Sequence, residues 1–240
     1  MDGSARLHVR AVVFDVGETL VDETREYGTW ADWLGVPRHT FSAVFGAVIA
    51  TGRDYREAFQ VFRPGFRLDE ERQRRVDQDC AETFDIGDLY PDAMPALLEL
   101  KQLGYRIGVA GNQTPRAHDI LLSLGLPVDW IGTSSRWGVE KPGTEFFQRV
   151  AAECAVPPSE VAYVGDRLDN DILPAKAAGM RTVFIRRGPW GTWTTEQPAA
   201  AAADARIDSL LELPRILAQA GGSRLERGAT RGDQGEAGRH

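Results

Sequence analysis

Cysteine and histidine are scarce in this sequence, basic residues are outnumbered, and no long apolar run interrupts it. Two cysteines, Cys80 and Cys154, stand far apart in 240 residues and join no Cys/His cluster. That excludes a zinc finger and a disulfide scaffold, and predicts thiols kept reduced or buried in a reducing compartment. With 28 Lys and Arg against 35 Asp and Glu, the formal net charge is -7, so the body repels both nucleic acid and anionic membrane surfaces. No segment approaches the roughly eighteen apolar residues of a membrane span, and the first residues lack the pattern of a secretory signal. The expectation is a cytoplasmic protein, monomer or homodimer, whose partner is a small-molecule substrate, with no nucleic acid and no membrane. Hydrophobic content of 42% with 26% charged residues belongs to a globular chain, long enough for one α/β core with an insert.

What is present alternates. Residues 9–16, VRAVVFDV, predict a buried strand carrying Asp15 at its carboxyl end. Residues 24–81 change to helical spacing, with Trp30, Trp33 and Leu34, then Phe41, Val44, Phe45 and Val48, then Tyr55, Phe59 and Phe62. Beyond this insert, Pro91 opens a helix that Gly104 stops, and YRIGVAG at 105–111 is a strand with Asn112 just past it. Helices over 115–124 and 143–154 flank a short apolar segment at 128–131. VAYVGD at 161–166 is a strand ending in Asp166, followed by a helix at 172–178 and the strand RTVFIRR at 181–187. Residues 205–207 suit an edge strand before a last helix over 210–217.

This alternation predicts a doubly wound, Rossmann-like parallel sheet with helices on both faces, in which ligands bind at the carboxyl ends of the strands. Asp15, Asn112 and Asp166 all fall there. Residues 1–21 and 88–220 are assigned to the α/β catalytic core, 22–87 to an α-helical insert, and 221–240, rich in Gly, Arg and Glu, to a disordered tail.

A lone Asp after a strand is more often a helix cap or turn residue, and a lone Lys-Pro is usually a solvated loop. In order, however, DVGETL from Asp15, EKPG at 140–143 and GDRLDND at 165–171 are more specific, because the fold brings successive strand tips together. On these segments the chain resembles the haloacid dehalogenase-like (HAD) superfamily, whose four motifs match at 15–20, at 107–112, at Lys141-Pro142, and from Gly165-Asp166 through Asp171. The resemblance spans about residues 9–217 and implies that the insert is a small helical cap closing over the site. It also implies a magnesium-dependent hydrolase, first of all a phosphatase of a small phosphorylated metabolite that works through an aspartyl-phosphate at Asp15. Asp15, Asp166, Asp171 and the backbone carbonyl of Gly17 would be the Mg2+ ligands. Lys141 would be the second catalytic residue, stabilising the phosphoryl charge and the crowded carboxylates. Gly111, Asn112 and Lys141 would stand at the phosphate-binding position, and Asn170 would position the acidic loop.

Two departures qualify that implication. The family's phosphatases carry a second Asp, their acid/base, where this chain has Gly17. Losing a positioned acid/base costs on the order of 10²–10⁴ in rate. Glu18 is the candidate replacement; the plainer alternative is a Glu bonded to its own loop. Gly111 replaces the family's Ser or Thr hydroxyl, for which Asn112, Gln113, Thr114 or backbone N–H groups are the stand-ins. Two alternatives therefore stay open: hydrolysis of a non-phosphate bond in the manner of the dehalogenases, or a catalytically weak, metal- and phosphate-binding regulatory protein. Dehalogenases of the superfamily place an aromatic residue at position 17, and its phosphonate enzymes use a cap lysine, whereas residues 24–87 contain no Lys. From the cap, Arg63 and Arg67 of the RPGFR turn are the expected substrate contacts, while most of its aromatics form the insert's own core. Trp190 and Trp193 in GPWGTW either line the rim of the site or pack a loop.

Overall fold

The computed structural model describes residues 9–221, so the tail assigned to 221–240 lies outside the described residues except for Gly221, the last residue of the final helix. In chain order the elements are β1 (Ala11–Phe14), α1 (Thr24–Leu34), α2 (Arg38–Ala50), α3 (Glu57–Phe62), α4 (Leu68–Asp77), α5 (Ala93–Gln102), β2 (Arg106–Gly111), α6 (Pro115–Ser123) and β3 (Trp130–Thr133). There follow α7 (Ser134–Trp137), α8 (Thr144–Cys154), β4 (Val161–Gly165), α9 (Leu173–Ala177), β5 (Arg181–Ile185), α10 (Gly188–Thr194), β6 (Ala205–Ile207) and α11 (Leu213–Gly221).

The strands form one six-stranded sheet in the order β3-β2-β1-β4-β5-β6, with every neighbouring pair parallel. The chain moves outward from β1 to β3, then returns to the other side of β1 with β4. That reversal opens a crevice at the carboxyl ends of β1 and β4, where an open α/β sheet receives its ligand.

Side-chain alternation along β1 supplies both faces of the core. Val12 and Phe14 pack with Ala96, Leu97 and Leu100 of α5, Leu121 of α6 and Leu213 of α11. Ala11 and Val13 pack on the opposite face with Phe146, Phe147 and Val150 of α8 and Ala175 of α9. Four helices, α1 to α4, fill the segment between β1 and α5 and build a separate aromatic core from Trp30, Phe41, Phe45, Phe59 and Phe66.

The structure differs from sequence expectation at GPWGTW, which forms the helix α10 instead of a loop. Two glycines in seven residues disfavour a helix locally. Pro189 in the first turn favours it, and Trp190 sets its indole edge-on against Phe45 (5.4 Å) and Tyr55 (5.9 Å) of the cap. Packing thus decides the conformation that propensity does not, and of the two indoles Trp193 remains 56% exposed.

Candidate active site

Asp15 directly follows β1, and its N–H donates to the Val164 carbonyl of β4 (2.9 Å), which holds it at the crevice. The chain then turns back on itself. Leu20 and Val21 N–H both donate to the Val16 carbonyl (2.9 Å each), and Glu18 N–H donates to the Val21 carbonyl (2.7 Å). None of these bonds uses the carbonyl of Gly17.

On the neighbouring strand, Asp166 directly follows β4. After it comes a single wide turn in which Asp171 and Ile172 N–H both donate to the Arg167 carbonyl (3.0 and 3.1 Å). The bond from Ile172 reaches five residues back, a pattern that interrupts a helix locally and recurs at functional sites. Here the turn aims Asp171 inward, and Arg167 N–H donates to Asp171 Oδ2 (3.0 Å).

Lys141 arrives from the loop before α8 and joins the two strand tips. Its Nζ donates to Asp15 Oδ1 and to Asp171 Oδ1, each at 2.6 Å, and the residue is buried. Asn112 holds it there, because its Nδ2 donates to the Lys141 carbonyl (2.9 Å) and its Oδ1 accepts from Lys141 N–H (2.8 Å). The carboxamide expected to touch phosphate is thus spent in clamping the lysine's backbone.

Asp15, Asp166 and Asp171 each offer a carboxylate oxygen within 4.8 Å of the others, and all three are buried. Asp166 Oδ2 has no hydrogen-bond partner. Burial and the nearby charges of Asp171 and Asp15 raise the Asp166 carboxyl well above the usual range, and burial pushes Asp171 up to about 6 despite Lys141. Burial alone would depress the Lys141 ammonium, but the Asp15 and Asp171 charges more than reverse this and keep it protonated. Crowded, desolvated carboxylates with an orphaned oxygen are a hard-cation donor set, since a cation relieves both the repulsion and the missing bond.

Both departures from the family pattern have structural correlates. A Cβ on Gly111 would fall 2.7 Å from Asp15 Oδ1 and 3.2 Å from Val16 Cγ2, so the absence of a side chain leaves the Asp15 carboxylate its present place. The Thr114 hydroxyl does not replace the lost one, because it donates to Glu82 (2.6 Å) and accepts from Ala117 N–H (3.0 Å) to cap α6. A Cβ on Gly17 would fall 2.4 Å from Glu23 Oε1, so a carboxyl from six residues downstream already fills that volume. Glu23 was not singled out in the sequence, since a six-residue offset matches neither helical nor strand periodicity. Burial, with the charges of Glu18, Asp15, Glu26 and Glu82, raises its carboxyl well above the ordinary range.

Three expected residues occupy other places. Glu18 is buried, with φ 53°, and its carboxyl accepts from the Tyr90 hydroxyl (2.5 Å) while its stem packs over Gly188. It is thus bonded to the segment before α5 and packed on the first residue of α10. Arg63 pairs with Glu71 (3.3 Å) and lies over the Phe66 ring, and Arg67 pairs with Glu70 (2.5 Å) and is 75% exposed. The cavity of about 140 Å³ between cap and core is lined by neither; Val16, Glu23, Tyr27, Asn112, Gln113 and Arg72 line it instead. Cap cations are abundant in the sequence, but helix phase decides which of them face inward.

A model of the haloacid dehalogenase-like hydrolase family matches residues 9–179. The chain is 40% identical over 104 residues to the glyceraldehyde 3-phosphate phosphatase of Methanopyrus kandleri, covering 42% of this chain and 45% of that protein. It is 36% identical over 135 residues to the ribulose-1,5-bisphosphate 5-phosphatase of Halopiger xanaduensis, covering 54% and 56%. The chain spans about half the length of the curated relatives it matches. A solved HAD phosphatase from Thermococcus onnurineus shares 25% identity and a TM-score of 0.55 over 87% of this chain and 98% of that one. With the crevice geometry and a family match across the first strand, the cap and all four motif segments, the chain belongs to the haloacid dehalogenase-like hydrolases.

Proposed function

We propose that this hydrolase-family protein is a Mg2+-dependent phosphatase that removes the phosphoryl group from a small phosphorylated metabolite through an aspartyl-phosphate on Asp15. The observation that carries the reading is the buried set of Asp15, Asp166 and Asp171 around Lys141, with one Asp166 oxygen left without a partner. Asp15, Asp166, Asp171 and the Gly17 carbonyl would hold Mg2+, which when bound supplies positive charge against the equatorial phosphoryl oxygens. Asp15 attacks phosphorus. Lys141 fixes the attacking carboxylate through Oδ1 and sets a permanent positive charge beside it, while Asn112 keeps that lysine from swinging away. Displacement of a halide by a carboxylate needs no such collection of acidic groups, which favours phosphoryl over carbon–halogen chemistry.

The relatives' names support a small sugar-like phosphate as substrate, and a cavity of about 140 Å³ suits a molecule of that size. A cytoplasmic setting accords with the free thiols of Cys80 and Cys154. Among the described residues no helix is long and apolar enough to cross a membrane. The test is hydrolysis of a panel of small phosphomonoesters with Mg2+ by wild type and Asp15→Asn. Wild type should turn over at least one ester, and Asp15→Asn should lose essentially all of that rate while retaining its thermal transition, because covalent catalysis disappears with the nucleophile. Full activity in Asp15→Asn would overturn the mechanism.

A further inference from the structure

A phosphatase that forms an acyl-phosphate still has to protonate a departing alkoxide and later take a proton from water. Position 17, where the family keeps that group, has no side chain. The volume is nevertheless filled: Glu23 Oε1 lies 2.4 Å and Cδ 2.6 Å from where a Cβ on Gly17 would stand. That is close to the separation between an aspartate's own carboxyl oxygens and its Cβ. The backbone brings Glu23 there by bridging Gly17 to Val21 and Val21 to Leu89, which folds the start of α1 back over the nucleophile loop. Glu23 lines the same cavity as Val16 and Asn112. Glu18, the sequence neighbour, accepts from the Tyr90 hydroxyl and packs its stem over Gly188.

We propose that Glu23 is the acid/base of this site, a catalytic carboxyl moved from the nucleophile loop to the amino end of the cap. The proposal rests on the phosphatase reading. In the first step an Asp15 carboxylate oxygen bonds to phosphorus, the bond from phosphorus to the ester oxygen breaks, and that oxygen takes the proton of the Glu23 carboxyl, releasing an alcohol. In the second, water attacks the same phosphorus, its proton passes to the Glu23 carboxylate, and the Asp15–phosphorus bond breaks to give inorganic phosphate. Glu23 directly precedes α1, so the acid/base is carried at the amino end of the cap. Gly17 is then required, since a side chain there would evict Glu23.

The experiment compares wild type, Asp15→Asn, Glu23→Gln, and the double variant Gly17→Asp with Glu23→Ala. Each is assayed on an alkyl phosphate, whose leaving group needs a proton, and on p-nitrophenyl phosphate, whose leaving group does not. Glu23→Gln should lower kcat on the alkyl ester by about 10²–10⁴. On the nitrophenyl ester it should give a burst of one nitrophenolate per protein, then slow turnover, with a phosphoryl adduct on Asp15 seen by mass spectrometry. The double variant should recover at least about tenfold of the lost alkyl-ester rate, which a merely structural Glu23 would not allow. Glu23→Gln within threefold of wild type on both esters, beside a dead Asp15→Asn, would overturn the role of Glu23 and leave the phosphatase reading standing. No turnover and no adduct in any protein would overturn both. A thermal transition for Glu23→Gln equal to that of wild type excludes misfolding as the cause of a loss.

Discussion

At the scale of single residues, the site depends on which groups are left free and which are tied down. Asn112 and Thr114 looked equally able to touch a phosphate, yet both are committed within the protein. Arg72 is committed only in part. It stands one helical turn after Leu68, both residues line the cavity, and while its Nη1 donates to Asp69 (3.4 Å), its Nε is buried without a partner. Arg72→Ala should therefore raise KM for the best phosphorylated substrate, by about tenfold if one charge-assisted bond is lost, whereas Arg63→Ala and Arg67→Ala should leave KM near wild type. Equal effects from all three, measured as initial rates, would contradict this placement. The sequence displayed these arginines without ranking them, because Arg recurs at 63, 67, 72, 74 and 75 and the recurrence does not say which side chain turns inward.

At the scale of elements, strands β2 and β3 are close-packed against tryptophan. A Cβ on Gly108 would stand 2.2 Å from the Trp130 ring, and one on Gly132 would stand 1.8 Å from the Trp137 ring. The two indoles lie 6.1 Å apart, and Trp137 continues to Phe146 of α8 at 5.3 Å. Alanine normally improves a strand over glycine, but at Gly132 it would force the indole out of place. Gly132→Ala should be destabilised by about 1–3 kcal/mol, the usual cost of overpacking, read as a lower urea midpoint at unchanged slope. A variant as stable as wild type would mean that Trp137 moves freely. The strands themselves were legible from their apolar runs, as were the helices opened by Pro91 and Pro115. The helix α10 was not, because its stability comes from Trp190 meeting the cap, a contact between residues far apart in the chain.

At the scale of the whole molecule, Asp92 ties three distant segments together. Its Oδ2 accepts from Arg187 Nη2 after β5 (2.6 Å), from the Ser209 hydroxyl (2.7 Å) and from Leu210 N–H after β6 (2.9 Å). Burial pushes this carboxyl up, but the three hydrogen bonds and the Arg187 charge overcome it and hold it below its ordinary value. A carboxyl depressed in the fold stabilises above its unfolded pKa, near 4, and that contribution disappears as pH falls through the lower folded value. Asp92→Asn should therefore be less stable than wild type at neutral pH, with the gap in urea midpoint closing as pH is lowered toward about 3. A gap independent of pH would show that the charge is not what matters.

The sequence by itself determined the doubly wound sheet, the helical insert and the strand-tip aspartates. Those depend on local hydrophobic period and on motif order, both of which are written along the chain. Only the tertiary structure decided that the Glu23 carboxyl fills the space beside Gly17, that Glu18 is locked to Tyr90, and that Arg72 rather than Arg63 or Arg67 faces the cavity. Each of these is set by where a turn or a helix phase carries a side chain in space. Composition and periodicity constrain which groups are available but not the directions in which folded backbone points them.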